Sequence, residues 1–98
     1  MRIITESRLT EFWTKHPPAK SPLKVWREII RRSTFASPHE AKTQFPTADF
    51  LGDGLTVFDI GGNKYRLVVT MRYKYQIVYI GHVLTHAEYD RKSRSGDL

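Results

Sequence analysis

The sequence predicts an α+β fold, and three observations carry that expectation. Apolar residues recur at helical spacing as far as about residue 45. From residue 55 the pattern changes to β-branched and aromatic runs broken by short turns. Helices come first and strands after, without the βαβ alternation that signals a parallel sheet.

Taken in order, Arg2-Ile3-Ile4 is short and β-branched and reads as a first strand. Thr5 or Ser7 can then cap a helix whose Leu9, Phe12, Trp13 and His16 fall at i, i+3, i+4 and i+7. His16-Pro17-Pro18 stops it, because a residue before proline is pushed out of the α region. Ser21-Pro22 is expected to open a second helix, with serine as N-cap and proline first in the helix. Its buried stripe is Leu23, Trp26, Ile29 and Ile30, and Lys24, Arg27, Arg31 and Arg32 fall largely on the wet side. Ser37-Pro38-His39-Glu40 forms a capping box, so a third, short helix should run to about Phe45, with Pro46 ending it. Residues 46–54 read as loop, with Phe50 and Leu51 tucked inward. Three strands come next, Leu55 to Ile60, Lys64 to Arg72 and Tyr75 to Leu84, joined at Gly61-Gly62-Asn63 and Tyr73-Lys74 into an antiparallel meander. In the middle strand Tyr65, Leu67, Val69 and Met71 share the core face, and Lys64, Arg66, Val68, Thr70 and Arg72 share the other.

Ninety-eight residues are expected to make one domain, 1–98, with a flexible tail over about 92–98. An apolar content of 40% with twelve aromatics is enough for a packed core. There is no cysteine, which excludes a disulfide framework and favours a reducing, cytoplasmic setting. No signal-peptide or membrane-spanning run is present, so no membrane partner is expected. The net charge of +6 is uneven: residues 1–60 carry nine basic and seven acidic side chains, and residues 61–98 carry seven and three. A local excess of that kind suits a polyanion such as nucleic acid, although a soluble basic protein would look the same on charge alone.

Several chemistries find no support. No Walker-type loop is present, and Gly61-Gly62 leads into a strand, so no helix dipole faces a phosphate there. The four histidines lack metal-helix spacing, so neither a metal nor another cofactor is expected. What remains is Asn63-Lys64-Tyr65-Arg66 together with His86 to Arg91. RNA cleavage without metal needs a base for the 2′-OH, an acid for the leaving 5′-oxygen and cations for the pentacoordinate phosphate. Lys64 and Arg66 rooted in a strand suit the last task, and His86 and Tyr89 share a helical face if that segment is helical. Each also fits a plain structural role: a solvated sheet face for the cations, a loop histidine, a core tyrosine, and an Asp90 that pairs with Arg91 or Arg66.

The combination is more specific. Phe45-Pro46-x-Ala48-Asp49-x-Leu51, Val57-Phe58-x-Ile60-Gly61-Gly62-Asn63-Lys64-Tyr65-Arg66-Leu67, Tyr79-Ile80 and Thr85-His86-x-Glu88-Tyr89-Asp90 closely resemble the HigB-type toxins of bacterial type II toxin–antitoxin systems, over nearly the whole chain. That resemblance implies a RelE-like fold, with an N-terminal strand and two to three helices packed on an antiparallel sheet. It implies metal-independent cleavage of mRNA on translating ribosomes and neutralisation by a helix-turn-helix, HigA-like antitoxin. Carried over by position, Lys64 and Arg66 become phosphate-steadying cations, and His86 and Tyr89 acid–base or stacking groups. Asn63, Arg72, Lys74 and Arg91 extend the RNA contact. The competing readings are a ParE-like toxin or a non-catalytic RNA-binding module on the same fold.

Overall fold

A computed structural model describes residues 1–96. Four helices, α1 (Ser7–Lys15), α2 (Lys20–Arg32), α3 (Pro38–Gln44) and α4 (His86–Ser95), accompany five strands. The strands are β1 (Arg2–Ile4), β2 (Asp49–Gly52), β3 (Leu55–Ile60), β4 (Tyr65–Arg72) and β5 (Ile77–Thr85), in the order β1-β5-β4-β3-β2. The expected α+β class and the meander β3-β4-β5 are present. The sheet is mixed, because β1 runs parallel to β5, pairing Ile3 with Val78.

Alternation along β4 sorts the two faces as expected. Tyr65, Leu67, Val69 and Met71 are buried against Leu9, Leu23, Trp26 and Ile30 of α1 and α2 and Phe58 of β3. Truncating a fully buried leucine such as Leu23 to alanine would cost about 2–5 kcal/mol. Ile29 is only half-buried, so the stripe of α2 is narrower than expected. The opposite face is less wet than alternation suggests. Val57, Val68 and Leu84 form a second buried cluster there, packed against Leu55 and against Tyr89 of α4.

Several local expectations are corrected. Glu6 occupies the N-cap position of α1 and makes no side-chain cap bond, while Thr5 turns the chain at φ 67°. α2 starts at Lys20, two residues before the expected Pro22: Pro17–Ala19 form a 3-10 turn that runs into it, Ala19 is the N-cap, and Pro22 falls in the first turn, where no intrahelical N–H is missed. At α3 Ser37 accepts from the Glu40 N–H as expected, but Glu40 reaches back to the Ala36 N–H, one residue earlier than a capping box requires. Residues 49–52 are strand β2 instead of loop, and Leu51 points out, 53% exposed. On α2, Arg27 and Arg31 both pair with Glu6, and Arg32 pairs with Glu28. The segment assigned to a tail over about 92–98 is helical through Ser95; its last part, residues 97–98, lies outside the described residues.

Two glycine sites shape the end of the sheet where β5 meets α4. Gly61 and Gly62, at φ 64° and 71°, close the four-residue turn that brings Tyr65 opposite Ile60 and Arg66 opposite Asp59. Gly81 is the extra residue of a β-bulge, since Val69 pairs with Ile80 and Val68 with His82. A Cβ at Gly81 would stand 3.1 Å from the Val68 carbonyl oxygen. The bulge reverses the phase of β5, so that Leu84 joins Val68 and not the main core, and β5 delivers Thr85 to the start of α4 beside Tyr65.

Candidate active site

The junction between β5 and α4 is built by the chain's own capping chemistry. The Thr85 hydroxyl accepts from the Glu88 N–H at 3.2 Å, and the Glu88 carboxylate accepts from the Thr85 N–H at 2.9 Å. This complete capping box starts α4 immediately after the strand. The backbone bond from Thr85 holds the Glu88 carboxyl below the usual range, against an opposing effect of burial. The His86 N–H in turn donates to the Lys64 carbonyl at 3.0 Å, which ties the first residue of the helix to the turn before β4.

Five predicted residues, Asn63, Lys64, Arg66, His86 and Tyr89, meet there. Lys64 is exposed, and its ammonium enters no ion pair among the described residues. The Arg66 guanidinium is more committed than the sequence suggests. Its Nε lies 3.2 Å from Asp59 Oδ1, its Nη2 donates to Asn63 Oδ1 at 2.8 Å, and its Nη1 donates to the carbonyls of Asn63 and Tyr65. Arg66 is 11% exposed, so it is not the solvent-facing cation that alternation alone implies. Its carbon Cζ also sits 5.7 Å from the centre of the Tyr89 ring, a cation–π contact that fixes the tyrosine over the second cluster. Asn63 thus orients Arg66 within the protein. His86 Nδ1 lies 3.0 Å from Asp90 Oδ2, which corrects the expectation that Asp90 pairs with Arg91 or Arg66. A proton on Nδ1 donated to Asp90 leaves Nε2 as an acceptor, the state a general base needs.

The remaining candidates are not brought into this cluster. Arg72 lies at the far end of β4, about 20 Å away at roughly 3.3 Å per residue, where its Nη1 donates to the Asp53 carbonyl. Lys74 is in the turn beyond, over the Tyr75 ring. Arg91 is exposed on α4, two residues and roughly 200° round the helix from Tyr89.

Two features are not visible in the sequence pattern alone. Asp59, the partner of Arg66, does carry a signal once the strands are paired: it is the one charged residue of β3, at the position the turn places opposite Arg66. The other is a cleft of about 510 Å³ beside β5, lined by Arg8, Lys15, His16, His82 and Glu88 among others. His82 is held below the usual histidine range there by burial, then by Lys92 and Arg8. Among the described residues no three His, Asp or Glu side chains gather as metal ligands would.

Residues 19–92 match the family model of the HigB toxin, described as the RelE-like toxic component of a toxin–antitoxin system. Over 92 residues the chain is 35% identical to the mRNA interferase toxin HigB of Escherichia coli strain K12, covering 92% of this chain and 88% of that protein. The mRNA interferase HigB of Shigella flexneri matches to the same extent. The one from Escherichia coli O6:H1 is 29% identical over 96 residues, 96% of this chain and 93% of the other.

Proposed function

The chain belongs to the HigB family of RelE-like toxins, and on that premise we propose how its site cuts RNA. It is the toxin of a toxin–antitoxin system and an endoribonuclease acting on mRNA, with an antitoxin as its partner. That activity sets aside the ParE-like and non-catalytic readings. In the proposed mechanism His86, oriented by Asp90, takes the proton of the 2′-OH at Nε2. The freed 2′-oxygen attacks the adjacent phosphorus, a 2′,3′-cyclic phosphate forms, and the P–O5′ bond breaks with Tyr89 supplying the proton to the leaving 5′-oxygen. Lys64 carries the phosphate's added charge, and Arg66 acts as a fixed cation behind it. The mRNA is held in place on a translating ribosome, and the antitoxin is a helix-turn-helix protein.

One observation carries this reading: a free ammonium on Lys64 beside a carboxylate-oriented histidine, joined through the Lys64 carbonyl and the His86 N–H. The test is the chemistry of the product ends. Cleavage of mRNA in a translating extract, with chelator added short of dissolving the ribosome's own magnesium, should leave 2′,3′-cyclic phosphate and 5′-OH termini. Metal-activated water would leave 5′-phosphate instead, and that result would end the proposal.

A further inference from the structure

The half of the outer sheet face that α4 does not cover has its own composition. Across β1, β5 and β4 one row places Arg2, Ile77 and Arg72 side by side, and the next row of that face places Ile4, Tyr79, Thr70 and Leu55. The intervening row of Ile3, Val78 and Met71 faces the core. Arg2 and Arg72 are exposed and Tyr79 is 43% exposed. Tyr75, in the turn that closes this end of the sheet, is 66% exposed with Lys74 Nζ 5.6 Å from its ring centre. Among the described residues these are the two exposed aromatics, and neither row holds a carboxylate.

We propose that this face is a stacking platform for single-stranded mRNA, on which Tyr79 and Tyr75 take bases several nucleotides from the cut and Arg2, Arg72 and Lys74 take the intervening phosphates. Aromatic faces on an open sheet bind unstacked bases of any sequence, and cations between them track the backbone. Duplex RNA hides those faces, so the ligand is single-stranded. The platform lies on the same face of the sheet as the site at Lys64, about 20 Å away along β4 with Tyr89 of α4 packed over Val68 between them, so one strand running over that face can reach both. The identity of the RNA as the toxin's own substrate rests on the function proposed above; the platform itself does not need the cut.

The test is binding by the intact protein to labelled 2′-O-methyl RNA, which cannot be cleaved, in lengths of about four and about twelve nucleotides, a range of single-strand site sizes. Tyr75→Ala/Tyr79→Ala should weaken the longer oligonucleotide by roughly tenfold, leave the shorter one nearly unchanged, and be rescued by Tyr75→Phe/Tyr79→Phe, which keeps the rings. Should the alanine pair fold poorly, Lys74→Gln gives the second readout: a fall of roughly 0.7 in the slope of log affinity against log salt. Wild-type affinity of a folded alanine pair for the longer strand, or an unchanged slope for Lys74→Gln, would overturn the platform. Loss of antitoxin binding with RNA binding intact would also overturn it, and would assign the face to a protein partner. If Lys64→Ala still cleaves mRNA while the tyrosine variants lose RNA, the cleavage site is what has been misplaced and the platform stands.

Discussion

Arg66 and Arg72 stand six residues apart on the same face of β4, and in sequence they look interchangeable. Arg66 is enclosed by Asp59, Asn63, the Tyr65 carbonyl and the Tyr89 ring. Arg72 holds a single carbonyl and is otherwise in solvent. The difference lies in how the two ends of β5 are finished: the Thr85–Glu88 capping box starts α4 at one end of the sheet, and the other end has only a short turn. Equal charge therefore stands in unequal surroundings. A side chain fixed by neighbours can stabilise a transition state without reorganising, whereas one left mobile in water contributes mainly attraction.

The largest effect should come from His86→Ala, which removes the proposed base. Cleavage should fall by roughly 10²- to 10⁴-fold while the thermal midpoint hardly moves, because both His86 and Asp90 are about half exposed. A folded variant that cuts at the wild-type rate would remove His86 from the mechanism. Arg66→Ala should combine two losses, roughly 10²-fold in cleavage and about 1–2 kcal/mol in stability, since Asp59 is left half-buried without its partner. Urea unfolding separates the two; unchanged stability would mean that Asp59 and Arg66 are held together more loosely than their 3.2 Å separation indicates.

Smaller effects probe the junction. Glu88→Ala should cost about 1 kcal/mol by opening the capping box. The ionised Glu88 accepts a backbone bond only in the folded state, which lowers its pKa there. Its contribution is thus complete above the ordinary value of 4.5 and is lost as pH falls through the lowered folded-state value. The gap in melting temperature between wild type and Glu88→Ala should accordingly narrow between pH about 6 and about 3. A gap that stays constant would show that the charge adds nothing to the cap. At the bottom of the scale, Arg32→Ala removes an exposed i,i+4 pair with Glu28 and should change stability by less than about 0.5 kcal/mol.

The same contrast explains which parts of the molecule are legible in the sequence. Period-2 alternation places Leu67, Val69 and Met71 in the core, because one buried face dominates that strand. It fails for Val68 and Arg66, because their covering element, α4, comes from the end of the chain and its hydrophobic contribution is the single residue Tyr89. β2 reads as loop because it is a four-residue edge strand whose Leu51 faces solvent, so neither periodicity nor burial marks it. The start of α2 is hidden for another reason: a 3-10 turn through Pro17-Pro18 feeds the helix directly, so no side-chain cap is needed at Ser21. The His86–Asp90 pair is expected from i,i+4 spacing once α4 is known to be a helix, whereas charge alone offers Asp90 the neighbouring Arg91 or Arg66 as partner. The grouping of Lys64 with His86 depends on the β4–β5 register, which the bulge at Gly81 shifts by one residue.

The most direct comparison uses two exposed lysines at opposite ends of β4. Lys64→Ala and Lys74→Ala remove the same charge from surface positions, so each should leave stability within about 0.5 kcal/mol of wild type. Their rates of mRNA cleavage in a translating extract, measured side by side at matched concentration of folded protein, separate a fixed catalytic end from an attracting one. The account predicts a loss of roughly 10²-fold for Lys64→Ala and no more than a few-fold for Lys74→Ala. Equal losses, or a folded Lys64→Ala variant that cuts as fast as wild type, would contradict it.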